Sequence, residues 1–278
     1  MILGKFRKYT WLVLPVVLIV TWEYTAIQMD NALILPRFSK VLTILEKPFN
    51  NLLSIGSLYH NLLMSLLRVF LGYSIACILA IPLGILIGFS KNIRAFLMPF
   101  LNLFRPIAPL AWVPLVLAWM GISSVASLMK IDSGTAYLIF NNIKLAMIFI
   151  IFIGGFFPIL TNTIYGVSTV KRTLVDSALV MGASQKDIVM KVILPASLPS
   201  IITGLRVGLG ISWMCLVSAE MLPGSLAGIG YLIMHAYTIA RTDVVIAGII
   251  VISIVGGLID WGFQFIENKY YKWQHLER

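Results

Sequence analysis

The strongest constraint on this chain is a series of apolar blocks, each about as long as a bilayer is thick. A transmembrane helix needs about 20 apolar residues to cross roughly 30 Å of hydrocarbon. Hydrophobic residues make up 59% of the 278 positions and charged residues only 12%, as in polytopic membrane proteins. The blocks cover approximately residues 11–27, 66–89, 95–120, 145–165, 197–222 and 244–266. We therefore predict an all-α polytopic membrane protein with about six transmembrane helices, in which residues 1–278 form one domain.

Prolines interrupt two of these blocks. Pro106, Pro109 and Pro114 fall in the third block, and Pro195 and Pro199 at the start of the fifth. Proline removes a helical hydrogen bond and clashes with the preceding turn, so kinks or broken helix ends are expected at both places. In a membrane such breaks are tolerated where the freed carbonyls face protein or a water-filled cavity.

Two glycine pairs lie four residues apart inside predicted spans, Gly84 with Gly88 and Gly204 with Gly208. Residues at this spacing share a helix face, and glycines there allow two helices to approach closely. The motif is common, so we interpret it as helix packing and not as a binding site.

The basic residues between the blocks indicate an orientation. With the N-terminus inside, the cytoplasmic segments carry twelve Lys and Arg residues and the outer segments carry six. Positive residues are enriched on the cytoplasmic side, so both termini and residues 167–195 are predicted there. Residues 28–62 then form an outer segment with an amphipathic helix at the interface. The net charge of +10 is scattered over short loops, which argues against nucleic acid as a partner.

The longest mainly polar run inside the chain is DSALVMGASQKDIVMKVILP, residues 176–195. Thr173 followed by Asp176 fits a capping box, with Asp176 near the start of a first helix. Gly182 can adopt the left-handed conformation that ends a helix. Ser184 with Asp187 repeats the capping box and starts a second helix. The run therefore predicts a helix, a tight turn and a second helix.

This predicted unit presents a tip of small residues, Ala178, Gly182 and Ala183, which the backbone of another protein can approach closely. On these local signals alone, the alternative is a solvated loop that merely joins two spans. The apolar face of the second helix consists of Ile188, Val189, Val192 and Ile193.

The same residues resemble the EAA signature of permease subunits of ATP-binding-cassette (ABC) importers, E-A-A, three residues, G, nine residues and I-x-L-P. Asp176, Ala178 and Gly182 match it, with Asp176 in place of Glu, and residues 192–195 follow at the expected distance. Ser177 and Val192 replace Ala and Ile. The resemblance implies that residues 167–195 are a cytoplasmic coupling loop that docks into a groove of an ATPase subunit. The residues expected to carry this coupling are Asp176, Ala178, Gly182, Ala183, Ser184, Leu194 and Pro195.

A second stretch, FRPIAPLAWVPL at residues 104–115, is similar to the proline-rich third helix of the sulfonate, taurine, nitrate and bicarbonate branch of this family. Residues 32–45 and 61–91 resemble the same branch, so the likeness runs from about residue 33 to the C-terminus. Residues 124–144 depart from it, because they are longer than the short outer turn of the relatives. We expect them to form an outer helical hairpin or a re-entrant piece.

The resemblance implies a type I ABC importer permease fold in a prokaryotic inner membrane. It also implies a homodimer, two ATPase subunits on the cytoplasmic side and a solute-binding protein outside. The expected solute is a small anion of the alkanesulfonate, taurine, nitrate or bicarbonate type, with a different small organic solute as the alternative. ATP and Mg²⁺ are expected on the ATPase subunit, because this chain has no Walker A sequence, and no cofactor is expected on the chain itself.

Ionisable side chains are costly inside a membrane, so they usually face protein or water. Arg105 and Arg206 lie in the proline-interrupted blocks, which by resemblance line the central passage, and a guanidinium binds an oxyanion through paired hydrogen bonds. Alternatively, Arg105 only anchors a kinked helix end or salt-bridges a neighbour, and the long stem of Arg206 holds it near the interface. Arg68 and Glu220 lie near the outer ends of their spans, where snorkelling accounts for them. The substrate-pathway candidates are Arg105, Trp112, Arg206, Trp213 and Glu220.

Catalytic constellations are not visible in the sequence. The three histidines fall in separate segments, with no HExxH and no G-x-S-x-G, so neither a zinc site nor an acyl-transfer site is indicated. Cys77 and Cys215, both in apolar blocks, indicate no disulfide framework. We therefore predict that the chain is not an enzyme, and that ATP hydrolysis takes place on a separate subunit.

An ion- or proton-driven secondary transporter is the competing class, with Glu23, Glu220 or Asp260 as the coupling group. That class is often built from inverted repeats, which this sequence does not show. A membrane-embedded enzyme is a third class, and the scattered histidines argue against it.

Overall fold

The computed structural model describes residues 10–222 and 224–270. This part of the chain is helical, and it contains no strand beyond two isolated bridges. Besides the α-helices, it has a 3-10 turn, Pro109–Trp112, and a π-helical segment, Ile188–Ile193. The α-helices are α1 Thr10–Met29, α2 Phe38–Glu46, α3 Leu58–Phe89, α4 Lys91–Phe104, α5 Val113–Met120, α6 Val125–Met129, α7 Gly134–Asn141, α8 Leu145–Ser168, α9 Arg172–Val180, α10 Gln185–Asp187, α11 Leu194–Glu220, α12 Ile229–Thr238 and α13 Thr242–Tyr270.

Four helices of the described residues are long and apolar enough to cross a membrane: α3, α8, the continuous helix Gln185–Glu220, and Thr242–Glu267 of α13. Helix α4 and the segment Pro109–Met120 meet the same criterion together, with a bend of 82° at the break between them. The apolar part of α1, Val13–Met29, is shorter. The all-α polytopic fold is therefore confirmed, with four spans, or five when the bent pair counts as one, against the six blocks of the sequence.

Helix α8 lies at the centre of the bundle, packed between α3 and α11. Both glycine pairs face it. A Cβ added at Gly84 would lie 2.6 Å from the Cβ of Thr163, and one added at Gly208 would lie 2.7 Å from the Cγ1 of Ile159. Side chains cannot approach so closely, so the glycines allow the close packing of α3 and α11 on α8 that their spacing predicts.

This packing predicts the effect of a single methyl group. Gly84→Ala should lower the free energy of unfolding by about 1–3 kcal/mol, because the added Cβ overlaps the β-branched side chain of Thr163 and the helices must separate. Unfolding of the purified protein in detergent measures the change. Gly257→Ala in α13 is the matched control, since a Cβ there has nothing within 4 Å, and it should be neutral or slightly stabilising. Equal stability of the two variants would contradict the close contact.

The segment before α3 contacts both α1 and α13. Trp22 of α1 donates a hydrogen bond of 2.9 Å to the carbonyl of Pro36, and Glu23 accepts one of 2.7 Å from the backbone N–H of Phe38. Glu23, a candidate for ion coupling, therefore holds the start of α2. The amphipathic helix expected between residues 28 and 62 is present as α2, which buries Val41 and packs on α13.

Residues 124–144 form the helical hairpin that was one of the two expectations for them. Ser124 and Ser127 make a capping box at the start of α6. The base of the hairpin is closed by two backbone hydrogen bonds, Val125 N–H to Ile143 (2.9 Å) and Leu145 N–H to Ser123 (3.0 Å). These bonds attach the hairpin to the N-terminus of α8.

Candidate functional site

The predicted helix, turn and helix are present over residues 172–193, here called the helix-turn-helix unit. Helix α9 ends at Val180, and Gly182 has a φ of +83°, the left-handed conformation expected from the sequence. The N–H of Gly182 donates to the carbonyl of Leu179 (2.9 Å), and the N–H of Ala183 donates to the carbonyl of Ala178 (3.0 Å). These bonds satisfy the last carbonyls of α9 and fix the turn.

One predicted cap is present and the other is wrong. Ser184 accepts a hydrogen bond of 3.2 Å from the N–H of Asp187 and donates one of 2.5 Å to its carboxylate, as an N-cap does. Thr173 does not cap α9, because the extended backbone of Lys171 lets the helix begin at residue 172. Asp176 therefore lies beyond the first turn of α9, on its exposed surface.

The exposed tip of the unit is apolar and large, not small as predicted. Val180 and Met181 are 90% and 87% exposed. Ala178 and Ala183 are half-buried instead, packed against a core that holds the two helices together. Gly182 is open, since a Cβ added there would have nothing within 4 Å. The core between the two helices of the unit consists of Val167, Ile188 and Ile193.

The second helix of the unit continues without a break into the membrane. Residues 185–220 form one helix of 36 residues, where the prolines predicted a kink or a broken end. A proline lacks the N–H that an α-helical turn needs, and the wider π turn just before it accommodates the loss. In that turn the N–H of Leu194 bonds to the carbonyl of Val189. Leu194 and exposed Pro195 therefore mark the junction between the unit and α11.

The third block is broken as its prolines predict, and aromatic rings hold the break. Arg105 is the C-cap of α4, immediately before Pro106. Trp112 stacks on Phe104 at a centroid distance of 5.9 Å and meets Phe149 of α8 edge-on at 6.1 Å. The Nε1 of Trp112 is buried without a hydrogen-bond partner in the described residues. Trp112 thus braces the bend against α8.

A cavity of about 350 Å³ lies beside this bend, between the bent pair, α8 and α11. Arg105 lines it, together with Thr161 and Asn162 of α8. The rest of the lining is mainly apolar and includes Val207 and Ile211 of α11. A concave apolar site with a few polar groups is typical of a small-molecule pathway.

Of the five candidate pathway residues, only Arg105 lines this cavity, and Arg206 and Trp213 contact α13 instead. Arg206 forms ion pairs with Asp260 (2.7 Å) and Glu267 (2.9 Å), both on α13. Trp213 is buried and donates a hydrogen bond of 3.2 Å to the carbonyl of Ile252, also on α13. Both residues join α11 to α13, so the structure does not bring them to the passage.

Arg68 and Glu220 are buried in a polar cluster, so the snorkelling interpretation is wrong. Both side chains are fully buried, and they form an ion pair with each other. Glu220 also accepts hydrogen bonds from Ser65 Oγ (2.8 Å) and from the N–H of Gly230 (2.9 Å), while Arg68 donates to the carbonyl of Asn142 (2.7 Å). The cluster links α3, α11, the start of α12 and the turn before α8. Glu220 is thus a structural anchor away from the cavity.

Lys144 lies next to this cluster, just before the start of α8. Burial lowers the pKa of its ammonium group, and the charge of Arg68 lowers it further. Its nearest polar partner is Asn141 Oδ1 at 3.4 Å.

No three His, Cys, Asp or Glu side chains of residues 10–222 and 224–270 are placed to share a metal ion.

Comparisons with known proteins agree with this architecture. Residues 80–271 match the family described as binding-protein-dependent transport system inner membrane component. The chain is 48% identical to a protein assigned as an ABC transporter permease in Methanocaldococcus jannaschii, over 95% of this chain and 91% of the relative. It is 34% identical to an assigned aliphatic sulfonates transport permease of Bacillus subtilis, over 97% and 90%. It is 33% identical to the taurine transport system permease of Escherichia coli, over 94% and 87%. The chain belongs to the family of binding-protein-dependent transport system inner membrane components.

Proposed function

We propose that this chain is the membrane-spanning permease subunit of an ATP-driven importer that moves a small anion into the cytoplasm. The observation that carries the proposal is the continuous helix of residues 185–220. One end of this helix belongs to the helix-turn-helix unit with its exposed apolar tip, and Val207 and Ile211 further along it line the cavity. A single continuous helix therefore connects a docking surface to the wall of a passage.

This connection supplies the mechanism. At 1.5 Å per residue, 36 residues reach roughly 54 Å, more than the thickness of the hydrocarbon core. When the ATPase closes on the tip, the helix shifts and the cavity wall moves with it. The cavity then alternates between states open to either side, and the differential affinity of the partners for these states drives transport.

The partners follow from the family and from the position of the tip. Two ATPase subunits bind ATP and Mg²⁺ and grip the helix-turn-helix units of a permease homodimer. A solute-binding protein delivers the substrate from outside. The count of basic residues, twelve against six, supports a cytoplasmic location for both termini and for the unit. Of the EAA-like residues, Asp176, Ala178, Gly182, Ala183 and Ser184 belong to the helix-turn-helix unit, and Leu194 and Pro195 lie at its junction with α11.

The substrate is an anion of the alkanesulfonate, taurine, nitrate or bicarbonate type. The relatives named for sulfonates and taurine support this class, and so does the guanidinium of Arg105 beside the cavity. Arginine forms paired hydrogen bonds with planar or tetrahedral oxyanions.

Uptake into proteoliposomes tests the proposal. The chain is reconstituted with an ATPase subunit and a solute-binding protein from the same organism, and entry of labelled taurine, alkanesulfonate, nitrate and bicarbonate is measured. We expect uptake of at least one of these anions that requires ATP and persists when ionophores dissipate the ion gradients. Uptake that ignores ATP and collapses with a gradient would instead establish a secondary transporter.

A further inference from the structure

Five arginines of the described residues lie in the predicted spans or within three residues of them, and they fall into two classes. Arg241 pairs with Asp243. Arg68 pairs with Glu220, and Arg206 pairs with Asp260 and Glu267. Arg94 and Arg105 have no ion pair and no side-chain hydrogen bond within residues 10–222 and 224–270. Both residues are exposed, so these two guanidiniums are available to an anion.

Both unpaired arginines lie on one face of α4. Met98, Leu101, Asn102 and Arg105 follow Arg94 at four, seven, eight and eleven positions, the spacing of a single helix face. Eleven residues along an α-helix correspond to roughly 16 Å. The two charges thus lie in line along the helix, three turns apart.

The face that carries them lines a second cavity, of about 190 Å³, whose other wall is α8. This cavity shares Arg105, Phe157 and Thr161 with the larger cavity at the bend, so the two lie side by side, and together they are here called the groove. The lining of the groove includes no carboxylate. Its far end reaches Ser168, the last residue of α8, shortly before the helix-turn-helix unit begins.

The local backbone adds to the positive field at this far end. Arg94 lies close to the N-terminus of α4, where the helix dipole is positive. The first turn of the helix has no acidic residue to balance it. The position is therefore unfavourable for a bare arginine and favourable for an anion held between the arginine and the helix end.

We propose that the groove holds two anion positions in series, the first at Arg105 beside the bend and the second at Arg94 near the helix-turn-helix unit. The inference rests on the proposed function, and it adds a residue that the sequence assigned only to membrane topology. The ligand is an oxyanion with a sulfonate-like or nitrate-like head, which each guanidinium binds through paired hydrogen bonds. Two moderate sites pass an anion along more readily than one strong site, because each must also release it.

The test uses the complete reconstituted importer. Arg94→Gln should lower ATP-driven anion uptake about tenfold or more, the loss expected from one charge-assisted contact in the path. Arg94→Lys keeps the charge and should restore a large part of the rate. Lys91→Gln is the matched control, since it removes a positive charge from the same end of α4 at a position outside the groove lining, and it should transport normally. ATPase association should be the same in all variants.

The outcomes separate this inference from the proposed function. If the wild-type complex shows no ATP-driven uptake, the proposed function fails. If the wild type transports and Arg94→Gln transports equally well, the second anion position is wrong. Repeating the assay in vesicles of neutral phosphatidylcholine identifies a lipid role, because a defect present only with anionic lipids would mean that Arg94 binds a headgroup phosphate, which also overturns the proposal.

Discussion

Replacing Glu220 by alanine is expected to lower the free energy of unfolding by about 3–5 kcal/mol, because Arg68 is left charged and fully buried. The substitution also removes the acceptor for Ser65 Oγ and for the N–H of Gly230. Three segments of the chain, α3, α11 and the start of α12, meet at this carboxylate, so we expect the loss to spread to the start of α12. Reversible unfolding in mixed detergent micelles measures the change.

Asp260→Ala is the matched control for this prediction. It removes a carboxylate partner of another arginine, but Arg206 keeps Glu267 and the pair is partly exposed. Its cost should be below about 1 kcal/mol. The double variant Arg68→Met with Glu220→Leu should regain part of the loss, since no bare charge remains. Similar stabilities of Glu220→Ala and Asp260→Ala would mean that the buried pair does not anchor the fold.

Charging the apolar tip is expected to have the second large effect. Val180→Asp with Met181→Asp should abolish detectable association with the ATPase and reduce ATP-driven uptake to background. The two side chains are almost fully exposed in the free chain, so the aspartates cost the fold little. Buried in an interface, an unpaired carboxylate is strongly unfavourable, and loss of an apolar anchor costs about 2 kcal/mol or more. Co-purification and proteoliposome uptake measure the two effects.

Leu128→Asp provides the control for the tip. Leu128 is an exposed apolar residue of α6, in the hairpin of residues 124–144. This hairpin precedes the first residue of α8, whereas the helix-turn-helix unit follows the last residue of α8. Leu128→Asp should leave ATPase association unchanged. A bulky residue at Gly182 probes the same surface. A Cβ there has nothing within 4 Å, and the positive φ of +83° adds a backbone strain of about 1–2 kcal/mol for a residue other than glycine. Persistent uptake with normal association in a Gly182→Trp variant would contradict the coupling role.

Local features of the structure were largely predictable from the sequence. The turn at Gly182, the cap at Ser184 and the break after Arg105 depend on residues within a few positions of each other. Backbone conformation and the steric effects of proline act over such short distances along the chain, so the local sequence is enough to predict the turn, the cap and the break. The cap at Thr173 failed for a local reason too, because the helix begins at residue 172 and the side chain falls inside it.

Pairings between distant residues could not be predicted in this way. Arg68 and Glu220 are 152 positions apart, and Arg206 and Glu267 are 61 apart. Hydropathy and periodicity identify a charged residue within a span but do not identify its partner. The role that we propose for Arg94 could not be predicted for the same reason, since a basic residue at a span end is normally interpreted as a signal of membrane topology. The sequence shows that Arg94 and Arg105 share one helix face, but only the structure shows that α8 lies opposite this face and encloses a cavity with it.

The central claim, that the exposed tip of the helix-turn-helix unit contacts the ATPase subunit, is tested most directly by cross-linking. A photo-reactive benzoylphenylalanine at position 181 is activated in the assembled importer, and the cross-linked products are identified by mass spectrometry; position 128 serves as the comparison. We expect a cross-link from position 181 to the ATPase subunit and none from position 128. A cross-link from position 128 to the ATPase, with none from position 181, would contradict the claim.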